Sequence, residues 1–321
     1  MKLEDIGFYT LSDARAKQAS VESPLWRCEL LVTGKCNFQC SYCRGTRGAE
    51  ISLEYAKHVV DLWADDKLKN IRFSGGEPTC WIYLRDLIRH TAKRKIEHVA
   101  ISTNGSASMD FYKKLLDDGV NDFSISLDAC CASQGNKLAG NVDVWDRVVE
   151  NIGFLASKTY VTVGTVLLPD TVKDLEGVIC LAKDLGVADI RIISAAQWAD
   201  DMKMVEEVRK FVDDPMPILR YRARNIVAGR YVRGIGSDDN HRCPLVLDDM
   251  AIKGDYHYPC IIYLREGGDP IGRVGKNMRK EREGWYVEND TYKDPICNKN
   301  CLDICIDYNN KCGNYKAEVI L

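Results

Sequence analysis

Three thiols lie within eight residues in Cys36-Asn-Phe-Gln-Cys40-Ser-Tyr-Cys43, spaced C-x3-C-x2-C. Side chains this close on one short loop converge on a point, and converging thiolates repel unless a soft cation neutralises them. Three thiolates leave a four-coordinate metal one ligand short. Structural sites are usually closed by four protein ligands, so the deficit points to a position kept open for chemistry. Six more cysteines follow late in the chain: Cys243, Cys260, Cys297, Cys301, Cys305 and Cys312. Nine of the 14 cysteines thus sit in metal-like groups. Cys130 and Cys131 are adjacent, and Cys28, Cys80 and Cys180 read as small core residues.

The rest of the composition is unremarked for a soluble globular chain: 321 residues, 45% hydrophobic, 28% charged, net charge −3. That balance gives no global attraction to nucleic acid or anionic membrane. The amino-terminal MKLEDIGFYT has acidic residues and no apolar run, so it is not a secretory signal. No apolar segment is long enough to span a bilayer. The expectation is a cytoplasmic protein, and in a reducing compartment clustered cysteines bind metal more often than they form disulfides.

The elements that must position these residues alternate. RCELLVT at 27–33 reads as a buried strand that delivers the chain to the cysteine loop. Residues 52–66 have helical apolar spacing with Ser52 as N-cap. Strands at 71–74, 99–103, 122–128, 160–168 and 189–194 are separated by helices at 81–94, 108–118, 143–157 and 171–186, with a further helix at 201–212. Six strand-then-helix units imply a parallel sheet with right-handed crossovers, an α/β fold of partial (β/α)6 TIM-like barrel type. In such a barrel the loops after the strands open on one face, where active sites form. Those loops carry the cysteine trio, Gly75-Gly76-Glu77-Pro78, Thr103-Asn104-Gly105 and Ser126-Leu127-Asp128. The expected organisation is an N-terminal cap at 1–26, the barrel core at 27–213, an Arg-rich bridge at 214–234 and a cysteine-rich module at 235–321.

With Tyr42 just before its last cysteine and GGEP one strand-helix unit later, the trio resembles the radical S-adenosylmethionine (radical SAM) superfamily. The resemblance covers about residues 27–200. It implies a 4Fe-4S cluster on Cys36, Cys40 and Cys43, whose fourth iron takes the amino and carboxylate groups of S-adenosylmethionine. It implies reductive cleavage of that cofactor to a 5′-deoxyadenosyl radical that abstracts hydrogen from substrate. By position in the motifs, Tyr42, Ser74, Gly75, Gly76, Glu77, Thr103, Asn104, Ser126 and Asp128 are its cofactor-binding candidates. Gly75 and Gly76 let backbone approach closely. Glu77 either accepts from the methionine amine or anchors the turn. Asn104 and Ser126 either contact ribose or carboxylate or make local turn bonds. Cys131 is a candidate hydrogen-atom donor, against packing as the alternative.

The later cysteines resemble the superfamily's auxiliary-cluster extensions, called SPASM when two clusters are held and twitch when one is. Gly254-x5-Cys260 and the run from Cys297 depart from the usual spacing, and a seventh cysteine is missing. Two cysteine-ligated clusters need eight thiolates and six are present, so one auxiliary iron-sulfur cluster is expected, with two clusters that use open irons or oxygen and nitrogen ligands, or closed zinc, as the alternatives. His241, His257 and Asp303 are the other nearby ligand types.

The expected function is hydrogen abstraction from a peptide or peptide-like substrate, giving oxidation, crosslinking or epimerisation. A nucleotide- or nucleic-acid-modifying enzyme is the alternative, and a non-enzymatic metal-binding interaction protein is the alternative of another class. With 35 residues ahead of Cys36, no separate leader-recognition domain is expected. Small-molecule substrates stay open. The expected partner is an electron donor such as flavodoxin or ferredoxin. The five arginines of residues 216–234 and the basic positions of 273–282 suggest a local track for an anionic partner beside the bridge.

Overall fold

The computed structural model describes residues 19–45, 48, 50–194, 203–230 and 234–312. Six parallel strands run in sequence order: β1 (Arg27–Thr33), β2 (Asn70–Gly75), β3 (His98–Thr103), β4 (Asp122–Ser126), β5 (Tyr160–Leu167) and β6 (Asp189–Ser194). They are joined through helices α1 (Leu53–Asp65), α2 (Leu84–Lys93), α3 (Met109–Asp118), α4 (Ala132–Leu138), α5 (Trp145–Ala156) and α6 (Leu175–Asp184). This is the expected open α/β barrel. Helix α7 (Lys203–Arg209) follows β6, at the place of the expected 201–212 helix. Most of the expected N-terminal cap, residues 1–18, lies outside the described residues, as do 195–202.

The strands alternate with period two. Cys28, Leu30, Ile71, Phe73, Val99, Ile101, Phe123, Ile125, Val161, Val163, Ile190 and Ile192 join one apolar core beneath the helices. Helix α1 starts where Ser52 accepts from the Tyr55 amide at 3.3 Å, and it buries Ala56, Val59, Val60 and Trp63. The opposite, inner face is polar. The register aligns Glu29, Arg72, Ala100, Asp122 and Tyr160 in one row, and Ser126, Gly164 and Arg191 in another.

The C-terminal segment does not stand apart from the barrel. Strand β7 (Asp249–Lys253) pairs parallel with β1 on its free side, and β8 (Tyr256–Tyr258) and β9 (Gly272–Arg273) extend the sheet antiparallel to the order β6-β5-β4-β3-β2-β1-β7-β8-β9. Met250 and Ile252 of β7 enter the barrel core. Bridge helix α8 (Pro217–Val227) packs on β6. It opens on Asp189, whose carboxylate accepts the Ile218 and Leu219 amides at 2.9 and 3.1 Å. Helices α9 (Ile261–Arg265), α10 (Met278–Glu288), α11 (Cys297–Asn300) and α12 (Asp303–Lys311) complete the module. Among the described residues no helix is long and apolar enough to cross a membrane.

Candidate active site

The cysteine loop leaves the end of β1 and lies against the turns after β2 and β3. Two backbone hydrogen bonds fix it from below: Gly76 N to Thr33 O and Glu77 N to Lys35 O, both 2.8 Å. A Cβ on Gly75 would fall 2.2 Å from Thr33 O, and one on Gly76 2.2 Å from Lys35 O. In this structure the close approach that the glycines permit is therefore to the cysteine loop's own backbone. On the far side, Gln39 N donates to Ala139 O at 3.0 Å. Asn37 joins Ser106 (2.8 Å) and Asn104 (2.9 Å), and Asn104 Oδ1 accepts from Ser106 Oγ at 2.7 Å.

Glu77 holds the two turns together. Its buried carboxylate accepts from Thr79 N and Oγ1 (3.0 and 2.7 Å), Thr103 Oγ1 (2.7 Å) and Asn104 N (2.7 Å). Burial raises its pKa, and these donors oppose the rise. Of the two roles expected for Glu77, turn anchoring is the one these contacts display. Thr103, buried, also meets the Tyr112 hydroxyl at 3.0 Å. Ser74 is buried as well and donates to Glu29 Oε1 at 2.5 Å. Tyr42 donates its hydroxyl to Asp128 Oδ2, while Asp128 Oδ1 accepts the Val166 amide at 2.6 Å. Ser126 is exposed at the end of β4. Cys131 stands exposed at the start of α4, its sulfur 3.4 Å from Ser133 Oγ.

The donor set suits a thiophilic cluster. Cys36 and Cys43 are exposed and Cys40 half-buried, and backbone amides point at two of the sulfurs: Phe38 N at Cys36 Sγ and Gly45 N at Cys43 Sγ, each 3.4 Å. Burial, then the charges of Asp128, Cys43 and Cys36, push the Cys40 thiol up to about 11. Iron bonded to the sulfur offsets that penalty by taking the place of the proton.

The second thiol group gathers where β1 meets the module. Cys243 packs with Cys305 and Cys312 against Leu245 and Tyr308. Burial and the Cys305 charge push Cys243 up to about 11. Cys260 is raised chiefly by burial, with the Cys305 and then the Cys243 charge added, Cys297 by burial with Cys243 charge added, and Cys301 first by its hydrogen bond with Cys305. The Cys243 charge thus reaches Cys260, Cys297 and Cys301, while among the described residues no three ligand-type side chains stand close enough together to hold a metal ion as placed. The other ligand types are engaged elsewhere. His257 is buried between Glu281 (2.8 Å) and Arg282, His241 stacks on Tyr292 and meets Ser237 O, and Asp303 binds Arg222 and Asn225. The two cysteine sites are mechanically joined: Arg44, next to Cys43, forms an ion pair with Glu266 at the end of α9, the helix that Cys260 caps.

Among the described residues the expected anionic track along the bridge does not form an open row. Arg220 donates to Asp214 O and Pro215 O, Arg222 pairs with Asp303, Arg224 with Asp213, and Arg230 with Asp307. Arg233 lies outside the described residues. In the second basic stretch, Arg273 covers the Tyr256 ring, Arg279 binds the carbonyls of Ser20, Val21 and Ser23, and buried Arg282 binds four carbonyls. These guanidiniums hold the chain together.

Sequence reasoning missed the cations inside the barrel. Arg72 reaches Ser102 Oγ at 3.0 Å and Asp122 Oδ2 at 3.2 Å. Arg191 bonds the Ser124 hydroxyl, and its Nε is buried without a partner. Gly164 lies beside it: a Cβ there would make only ordinary contact, 3.7 Å from Arg191 Nη2. Burial, then Arg72, with Arg222 and Arg27 adding, lowers Arg191 to about 10, so it stays charged at neutral pH. The signal was present: an arginine between apolar residues in Ile71-Arg72-Phe73 and Ile190-Arg191-Ile192 must turn to the face opposite the core.

A three-thiol loop on the C-terminal face of an open parallel barrel, braced by a GGEP turn, defines a radical SAM domain, and residues 30–182 match the model of the Radical SAM superfamily. That radical SAM domain marks the chain as an enzyme that uses a 4Fe-4S cluster and S-adenosylmethionine. Among curated relatives, it is 23% identical over 289 residues to a probable GTP 3′,8-cyclase of Methanococcus maripaludis, covering 84% of this chain and 95% of that one. A protein of the same description from Saccharolobus solfataricus is 29% identical over 203 residues, 57% of this chain and 64% of that one. Among solved structures, Streptococcus suis SuiB superposes with TM-score 0.61 at 15% identity over 86% of this chain and 67% of that one. The anSMEcpe enzyme with bound AdoMet and Cp18Cys peptide gives 0.62 at 15% over 90% and 96%. The structural matches concern the fold alone. The relatives' names overturn the expectation of a peptide substrate and favour the nucleotide alternative.

Proposed function

We propose that the chain is a radical SAM enzyme acting on a phosphorylated nucleoside, seated on the inner face of the barrel with its phosphates toward Arg191 and Arg72. One observation carries the reading. Arg191 is a half-buried arginine whose Nε is buried without a partner; its guanidinium meets the Ser124 hydroxyl and forms no ion pair among the described residues. The nearest acid, Asp122, is already paired to Arg72. One carboxylate, Asp122, thus serves two guanidiniums, and a second anion between Arg72 and Arg191 would be met by the surplus positive charge. A phosphate meets a guanidinium through paired charge-assisted hydrogen bonds. The names of the curated relatives support the same substrate class.

Cys36, Cys40 and Cys43 would hold the cluster, which with S-adenosylmethionine supplies one-electron cleavage of that cofactor and hydrogen-atom abstraction from the substrate. The chain's residues hold the parts in place. Glu77 and Thr103 lock the turns under the cofactor, Gly75 and Gly76 carry the loop, and Ser74 fixes Glu29. Tyr42, Asn104, Ser126 and Asp128 edge the same face and are proposed to bind the cofactor's polar groups. The C-terminal cysteines are proposed to hold one auxiliary iron-sulfur cluster, and a flavodoxin or ferredoxin to supply the electron.

The test is anaerobic reconstitution, reduction, and measurement of 5′-deoxyadenosine with GTP deuterated on the ribose. GTP is expected to stimulate 5′-deoxyadenosine formation and to pass deuterium into it. Cofactor cleavage that no nucleoside triphosphate stimulates would reject the substrate class.

A further inference from the structure

Arg222 differs from the other arginines of the bridge. It lies on α8 one turn beyond Ile218 and Leu219, whose amides cap on Asp189. Asp189 is two residues from Arg191 on the same face of β6. Apolar contact closes the space alongside, where Tyr160 of β5 packs with Ile218 and Tyr221 of α8 and Ile304 of α12. Arg222 Nη1 pairs with Asp303 Oδ1, and Asn225 Nδ2 holds the other carboxylate oxygen at 2.7 Å. The Arg222 side chain is 15% exposed and that of Asp303 2%. Arg222 Nε is buried with no partner, as is the Nε of Arg191. Asp303 begins the helix that carries Cys305, and Cys301 lies two residues before it.

A simple staple between helices does not need this placement. Arg230, three residues past the end of α8, pairs with Asp307 of α12 from the rim, with the arginine 40% exposed. Arg222 stands within electrostatic reach of Arg191, so the two cations repel even though Asp303 balances Arg222 locally, and an apolar pair would join the helices at lower cost. The arrangement is favourable when an anion sits among the three cations.

We propose that Arg222 is a third phosphate-binding cation of the substrate site, delivered by the bridge helix and positioned by Asp303 of the cysteine module. The inference rests on the nucleotide reading and deepens it: one wall of the site belongs to the bridge helix, which Asp303 ties to the helix that carries Cys305. Anchoring of that helix and affinity for substrate phosphates are then coupled through Asp303.

The test compares the reconstituted wild type with R222Q, R222K, D303N and R230Q. Inorganic tripolyphosphate and GTP are titrated calorimetrically, with S-adenosylmethionine binding and thermal midpoint measured alongside. A charge-assisted hydrogen bond lost to the substrate predicts a Kd for both anions about tenfold or more higher in R222Q. R222K should recover part of that loss. D303N should weaken both anions in the same direction, while S-adenosylmethionine affinity stays at the wild-type value. R230Q should lower the thermal midpoint without moving the Kd. Wild-type affinity in R222Q overturns the proposal, as does equal weakening by R222Q and R230Q, which would mean general loosening of the module. If the wild type binds neither tripolyphosphate nor GTP, the nucleotide reading falls and the role of Arg222 with it.

Discussion

Gly76 has no room for a methyl group. A Cβ there would lie 2.2 Å from Lys35 O and 2.7 Å from Lys35 C, both backbone atoms of the cysteine loop. Neither can swing aside as a flexible side chain would. Gly76→Ala is expected to destabilise the fold by about 2–3 kcal/mol, in the range of overpacked sites, and to push Cys36 out of line with Cys40 and Cys43. Iron per reconstituted chain should fall by about the content of one cluster. Unchanged iron and thermal midpoint would show that the loop position does not depend on this contact. The cysteine trio and the GGEP turn were legible from spacing because each is contiguous. Arg72 and Arg191 were not picked out, because they are 119 positions apart in number and converge only once β2 and β6 curve around the same lumen. The arginine-dense run at 216–234 drew attention instead, and most of its charge went into helix packing.

At the level of elements, the ion pair between Arg44 and Glu266 ties the cysteine loop to α9. Its side chains are 32% and 19% exposed, so solvent screens it in part, and about 1 kcal/mol is a reasonable ceiling. Reversal to Arg44→Glu would replace attraction by repulsion. A ferrous chelator should then strip the S-adenosylmethionine-responsive cluster signal, followed by electron paramagnetic resonance, roughly three- to tenfold faster. The double reversal R44E/E266R should restore the slower rate. If the double variant stays as labile as R44E, the pair does not hold the loop. The alternation of strands and helices was readable because apolar period two and helical spacing persist over whole elements. β7 was not, since Asp249–Lys253 is short and its parallel pairing with β1 depends on a partner far back in the sequence.

At the level of the whole molecule, the C-terminal segment is part of the barrel's architecture. β7 covers the edge of β1, Trp63 of α1 donates to Met250 Sδ at 3.4 Å, and α8 backs β6. A chain ending at residue 234 would expose the β1 edge and lose Met250 and Ile252 from the core, conditions that favour strand-to-strand aggregation. Size-exclusion chromatography should find it aggregated or bound to chaperones. A folded monomer that still takes up iron on the trio would refute that dependence.

The neighbour relation between β1 and β7 also sets a clock on biosynthesis. Arg27 and its partner Asp249 are 222 residues apart. At typical rates of synthesis, about 10–45 s pass between their emergence from the ribosome. For that interval the strand that presents the cysteine trio has one side bare, and Arg44 has no Glu266 to hold it. The loop thiols are thus made well before the strand and the side chain that secure them, and their reactivity in that interval is set by solvent rather than by the folded site.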